Sequence, residues 1–376
     1  MREAVRSGVA GLLGAVALTW PVVAGGLFQI DLFRAGEGGV HTYRIPALVE
    51  TRRGVLIAVV DARRDSQRDL PARIALAMRR SFDRGATWSP MVILQEVKEG
   101  GVGGASLLAD RETGRVWCLF NYGPPGIGFA TAKAGARTGP ETLQVHAMYS
   151  DDDGAHWSEP VDLTPQLKDP AWQAMFAASG TDIETVSGRY LAPLVVRDAE
   201  GKLQARNAYS DDRGQSWRVG NPIVGGDESH NVELAGGEIL QNLRDGERRL
   251  VARSRDGGVT FGAAAHDAAL VDAACNAGIV RYHRGGSDLL LFTNAASTRR
   301  EKLTVKLSYD GGASWPVERV IESGPAAYST VVVLRDGSIA VLYERGHTSP
   351  YERISFARFR LKWVTAGGIA APRRHS

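Results

Sequence analysis

One short pattern recurs along this chain and limits what it can fold into. Ser81-Phe82-Asp83-Arg84-Gly85-Ala86-Thr87-Trp88 reads S-x-D-x-G-x-x-W. The same spacing returns at Ser150-Asp152-Gly154-Trp157, Ser210-Asp212-Gly214-Trp217 and Ser308-Asp310-Gly312-Trp315, and a fifth copy, Ser254-Asp256-Gly258-Phe261, has phenylalanine in the aromatic slot. Each copy predicts a tight hairpin. Asp and Gly supply the turn, Ser and Asp side chains can bond nearby backbone, and the aromatic residue tucks beneath. The intervals of roughly 45–70 residues suit four-stranded sheets repeated around an axis. Such turns are framework, so the chemistry is expected elsewhere.

A repeat architecture can absorb the whole chain of 376 residues as one domain. The 44 glycines suit a protein with many turns. The net charge is only +3, with no long block of one sign, which argues against a nucleic-acid surface. Cys118 and Cys275 are far apart and match no metal or redox spacing; they read as small core residues, with a single bridge as the alternative. The eight histidines show no H-E-x-x-H or comparable cluster, so no metal or other cofactor is expected.

The N-terminus reads as a targeting segment. Arg2 and Arg6 precede a mostly apolar run from Val9 to Val23, and Val22-Val23-Ala24 offers small residues for cleavage. A signal peptide over 1–24 follows, with export to the periplasm or the medium; an uncleaved anchor or an apolar first strand are the alternatives. The run is too short and Gly-rich for stable membrane insertion. From 25 to 364 the pattern is short apolar runs between turn signals, among them Val55–Val60, Val116–Phe120, Tyr190–Val196, Leu289–Thr293, Thr330–Leu334 and Ile339–Tyr343. No stretch there has a long capped helical period. The connection Gly123–Thr138 lacks strong signals and is placed as a loop over the functional face. The Gly-, Ala- and Arg-rich tail, 365–376, predicts disorder.

Just before the first repeat stands Tyr43-Arg44-Ile45-Pro46. Together with the five turns it resembles the sialidase (neuraminidase) superfamily, whose members carry a Tyr/Phe-Arg-Ile-Pro motif followed by these repeats, called Asp boxes. The resemblance runs from about Leu27 to Val364. It implies an all-β fold, a six-bladed β-propeller with the active site at one end of the axis.

Family residues can then be placed one by one. The first arginine of the family's triad matches Arg44. Asp61-Ala62-Arg63-Arg64, followed by Asp69, resembles the trypanosomal trans-sialidase branch. That selects Arg63, with Arg64 as its rival, and Asp69 as the acid/base, with Asp65 as the weaker candidate. Asp227-Glu228 through Val232-Glu233-Leu234, followed by Leu240-Gln241-Asn242-Leu243-Arg244, is similar to the family's D-E-x-x-x-V-E-L … L-x-N-x-R. Glu228 then matches the catalytic glutamate and Arg244 the second arginine, while Glu233 reads as structural. The run before Leu303-Thr304-Val305 selects Arg300 over Arg299 as the third. Tyr328-Ser329 and Leu342-Tyr343-Glu344 resemble the family's Y-S-x … L-Y-E, which makes Tyr328 the nucleophile and Glu344 the acid behind Arg44.

The implied chemistry is coherent. A sialic acid carries a carboxylate on its anomeric carbon, and three arginines can pin it with charge-assisted, partly bidentate bonds. An anionic nucleophile would meet that carboxylate as a like charge; a neutral tyrosine avoids this but needs a base, the implied role of Glu228. The expected activity is hydrolysis of terminal sialic acids, with retention, from glycoprotein, glycolipid or oligosaccharide. Transfer, as in trans-sialidases, is the alternative within the class. A deaminated or altered nonulosonic acid is an alternative substrate, because Ala177–Glu184 falls where the family often has a different Gly-rich motif. A non-catalytic glycan-binding propeller is the alternative from another class, but a pure binder has no need of Tyr328, Glu228 and Asp69 together.

Overall fold

The computed structural model describes residues 22–135 and 138–366. Within them every regular element is a strand, apart from a one-turn 3-10 segment at Glu37–Gly39 and two short helices, Thr164–Leu167 and Leu361–Thr365. No helix is long and apolar enough to cross a membrane. Most of the expected leader and tail, 1–21 and 367–376, lies outside the described residues. Val22–Ala24 forms a strand against Leu27–Arg34.

The strands pair mostly with their sequence neighbours, as antiparallel hairpins dictate. Thr42–Glu50, Leu56–Arg63, Ile74–Ser81 and Val92–Gln95 make one sheet. A second is built on Gly101–Ala109, Val116–Gly123 and Gln144–Ser150, a third on Tyr190–Arg197 and Leu203–Ser210, and a fourth runs from Ser229–Glu233 to Ala265–Val271. The expected apolar runs all fall on strands, with Val55 and Leu334 just outside.

The rest forms one sheet of eight strands. Its centre is Val317–Val333, 17 residues long. The first half pairs with Glu301–Ser308 and the second with Ser338–Arg345, with a register shift between Ala326 and Ser329. Leu27–Arg34 adds itself to Arg353–Arg360, so the beginning of the described chain closes against its end. The architecture is all-β and propeller-like, with five hydrogen-bonded sheets among the described residues.

The Asp boxes explain how sheets are held side by side. Ser81 donates to Asp83 at 2.8 Å and accepts from the Gly85 amide at 2.7 Å; Asp83 accepts from the Thr87 amide and hydroxyl at 2.8 and 2.6 Å. The serine-to-glycine bond recurs in the other four copies. Each box glycine leans on the sheet before it. A Cβ on Gly85 would lie 2.3 Å from Phe356, on Gly154 2.9 Å from Ile57, on Gly214 2.5 Å from Trp117, on Gly258 2.8 Å from Leu191 and on Gly312 3.1 Å from Leu240. The repeated glycine therefore serves a close approach as well as a turn.

Candidate active site

Strand ends and bulges from different sheets meet at one pocket of about 250 Å³. Arg44 sits where the first strand of its sheet slips register, next to Ile45, whose backbone is left-handed at φ 59°. That conformation is costly for a β-branched residue, about 1–3 kcal/mol. One carboxylate holds it in place. Glu344, fully buried, accepts from Arg44 Nε at 2.6 Å and the Ile45 amide at 2.9 Å through Oε1, and from the Tyr328 amide at 3.1 Å through Oε2.

Tyr328 lies at the bulge of the long strand and is buried. Its hydroxyl donates to Glu228 Oε2, and Arg244 Nη1 reaches that same carboxylate oxygen at 2.8 Å and the phenol oxygen at 3.0 Å. The Arg44 and Arg300 guanidiniums lie 5.2 and 5.6 Å from the centre of the Tyr328 ring. Burial, and then the charge of Glu228, hold the Tyr328 phenol well above its ordinary value. Burial also pushes the Glu228 carboxyl up, against the pull of Arg244 and with a further push from Asp227. The phenol hydroxyl and the carboxylate are thus in direct hydrogen-bond contact, placed for a proton to pass between them.

Arg63 ends its strand facing inward and is almost fully buried. It bonds Asp69 at 2.6 Å, Asp61 at 3.3 Å and the Gln67 carbonyl. Asp69 lies at the pocket mouth with its side chain 83% exposed. Of the rival candidates, Arg64 turns out to Glu96 at 2.9 Å, Asp65 pairs with Arg73 at 3.0 Å, and Arg299 pairs with Glu301 at 3.0 Å. Arg300 instead turns inward to Tyr351 at 2.6 Å and the Ala274 carbonyl at 3.1 Å. Glu233 accepts from the Val186 amide, away from the pocket.

Sequence reasoning assigned no role to Asp61, Phe129, Phe176 or Tyr351. Asp61 is buried under the pocket, accepting from the Gly104 amide at 2.8 Å, and burial pushes its carboxyl up to about 6 despite Arg63. Its only sequence signal is its place in Asp-Ala-Arg. Phe129, on the connection placed over the functional face, lines the pocket and meets Phe176 edge-on at 4.9 Å. With Leu70 and Leu143 it makes one wall apolar. Among the described residues no three His, Cys, Asp or Glu side chains are grouped as metal ligands, and Cys118 and Cys275 are both free and buried. Arg63 and Arg244, the hydrogen-bonded Tyr328 and Glu228, and Asp69 all line the pocket, a set that can hold an anion beside a phenol–carboxylate pair and an exposed carboxyl.

Residues 66–341 match the family model of a BNR repeat-like domain. The chain is 37% identical to a sialidase of Micromonospora viridifaciens over 97% of its own length and 59% of that protein's. It is 31% identical to a sialidase of Bacteroides fragilis over 89% and 64%. It therefore spans about 60% of the length of these curated relatives. Among solved structures, the Hadza microbial sialidase Hz136 superposes with a TM-score of 0.82 at 32% identity, covering 88% of this chain and 68% of that one. The intramolecular trans-sialidase of Ruminococcus gnavus shares the fold, with a TM-score of 0.79 at 18% identity over 91% and 98%.

Proposed function

Because the chain belongs to the sialidase family, with BNR repeats, we propose that it is a retaining exo-α-sialidase acting on terminal sialic acids of glycoconjugates. One observation carries the reading. Three arginines, Arg44, Arg244 and Arg300, surround a buried phenol whose hydroxyl is bonded to a buried carboxylate. The arginines receive the substrate carboxylate. Glu228 takes the Tyr328 proton as the phenol oxygen attacks the anomeric carbon, and Asp69 protonates the departing oxygen. The covalent glycosyl-tyrosine is then opened by water, with Asp69 removing a water proton and Glu228 returning the proton to the phenol. Two displacements restore the starting configuration. The exposure of Asp69 at the mouth and its bond to Arg63 support its reading as the acid at the departing oxygen.

The architecture fits six blades. The eight-stranded sheet is read as two blades sharing the strand Val317–Val333. Contacts between neighbours support a closed ring: the box of the first sheet leans on Phe356 of the last, and the Asp336-Gly337 turn leans on Tyr282 and Arg284. Export remains the proposed location, on the leader pattern alone.

The test is a panel of fluorogenic α-glycosides of N-acetyl, N-glycolyl and deaminated sugars, with the first-formed anomer read by NMR. Release of a sialic acid as its α-anomer is expected. No turnover of any member would refute the activity, and a β-anomer formed first would refute retention. Adding lactose to the same assay separates hydrolysis from transfer by the appearance of a sialylated product.

A further inference from the structure

We propose that Tyr351 is a positioning residue of the carboxylate clamp, holding Arg300 and Arg44 through neutral contacts so that Arg300 keeps its full charge for the substrate. The proposal rests on the functional reading above. The three arginines are not held alike. Arg44 is bonded to Glu344 at 2.6 Å and Arg244 to Glu228 at 2.8 Å, with Asp227 at 3.8 Å. Among the described residues Arg300 has no carboxylate within ion-pair distance. Its partners are the Tyr351 hydroxyl at 2.6 Å and the Ala274 carbonyl at 3.1 Å.

The difference has a physical consequence. A guanidinium near other guanidiniums is pushed away by like charge, most strongly where water is scarce. A carboxylate partner would hold it but cancel the charge the substrate needs. A hydroxyl and a carbonyl fix its direction and leave that charge in place. Tyr351 also presents its ring to Arg44, 4.1 Å from the guanidinium carbon to the ring centre, with Arg300 at 5.9 Å. One side chain thus spaces two like charges, stacking on one and bonding the other.

The loop that delivers Tyr351 is built for it. The chain leaves the strand Ser338–Arg345 one residue after Glu344 and returns at Arg353. In between, the Glu352 carboxylate accepts from the amides of His347, Thr348 and Ser349 at 3.0, 2.8 and 3.0 Å and from the Thr348 hydroxyl at 2.8 Å. Gly346 admits no side chain, since a Cβ there would lie 1.9 Å from the Ser349 carbonyl oxygen. The same connection therefore brings Glu344 to one arginine and Tyr351 to another.

The experiment compares Tyr351→Phe with wild type in the full chain. On an aryl α-sialoside the variant is expected to raise KM about tenfold, the loss of one hydrogen bond to a charged group, with a smaller change in kcat and an unshifted melting temperature. In an Arg300→Lys background the same substitution should add nothing. An unchanged KM, or a KM effect that persists undiminished in that background, overturns the proposal. A lowered melting temperature with KM unchanged assigns Tyr351 a structural role and also overturns it. A second readout needs no ligand. The Arg300 guanidinium NMR signals, assigned by their loss in Arg300→Lys, should show slowed rotation in wild type and fast rotation in Tyr351→Phe. If wild type turns over no sialoside, the activity reading falls, and this comparison still decides: equal signals in both proteins refute the positioning role.

Discussion

At the scale of single residues, the site rests on a few side chains that each satisfy more than one neighbour. Glu344 offsets the charge of Arg44 and also bonds the amides of strained Ile45 and of Tyr328. Removing it would leave a buried guanidinium unpaired, a change that typically costs about 3–5 kcal/mol. Glu228 is different: burial raises the pKa of its carboxyl, and in the proposed mechanism that suits a base. A base fails when it is protonated, so activity falls as pH drops through that pKa. The acid limb of kcat/KM is therefore expected above the ordinary glutamate value of about 4.3. Asp227 contributes to the push and is only partly buried. Asp227→Asn should move the acid limb to lower pH in a pH–rate profile; an unmoved limb would assign it to another group. Much of this scale was legible in sequence. Arg44, Glu228, Arg244, Tyr328 and Glu344 stand in local motifs of distinctive order. Arg63 was selected over its rival Arg64 only by the resemblance of Asp-Ala-Arg, because adjacent strand residues face opposite ways and composition alone does not say which faces in. Tyr351 had no sequence signal, since its role arises from contacts between distant segments.

At the scale of elements, the repeated turn is a contact between sheets as well as a corner. Gly85 has φ 83° and Gly236 φ 86°, but a Cβ meets Phe356 at 2.3 Å in the first case and nothing within 4 Å in the second. Both alanine variants bear the left-handed backbone cost of about 1–2 kcal/mol. Gly85→Ala must in addition displace a buried ring, for about 1–3 kcal/mol more. Urea unfolding should therefore rank Gly85→Ala well below Gly236→Ala; equal losses would show that the turn does not press on the neighbouring sheet. The strands themselves were readable because their apolar runs sit between strong turn signals. The 17-residue strand was not. Only its end falls in an expected apolar run, Thr330–Leu334, whereas the backbone is extended from Val317 and changes partners between Pro325 and Ala326.

At the scale of the whole molecule, the strand Leu27–Arg34 lies against Arg353–Arg360 and ties the beginning of the described chain to its end. Asp31 is the polar anchor of that joint. It accepts from Ser355 at 2.6 Å and Arg345 at 2.8 Å through one oxygen, and from Arg353 at 3.2 Å and Arg34 at 3.0 Å through the other. Burial alone would raise its carboxyl, but the Ser355 bond and Arg345 outweigh it and hold the value below the ordinary aspartate range. A depressed carboxyl adds stability above its unfolded pKa of about 3.9 and loses it as pH falls through the folded value. Asp31→Ala should thus cost about 3 kcal/mol at neutral pH, with the gap to wild type closing in acid. Denaturation curves at pH 7 and pH 3 test this, and a pH-independent difference would contradict it.

Tyr328 as the nucleophile is the centre of the proposed mechanism, and trapping tests it most directly. The protein is incubated with a fluorinated sialic-acid analogue that forms the glycosyl-enzyme but releases it slowly, then digested and sequenced by mass spectrometry. The label is expected on the Tyr328 phenol oxygen, with no label in Tyr328→Phe. Label on Glu228 or Asp69, or turnover of the analogue with no covalent adduct, would contradict it.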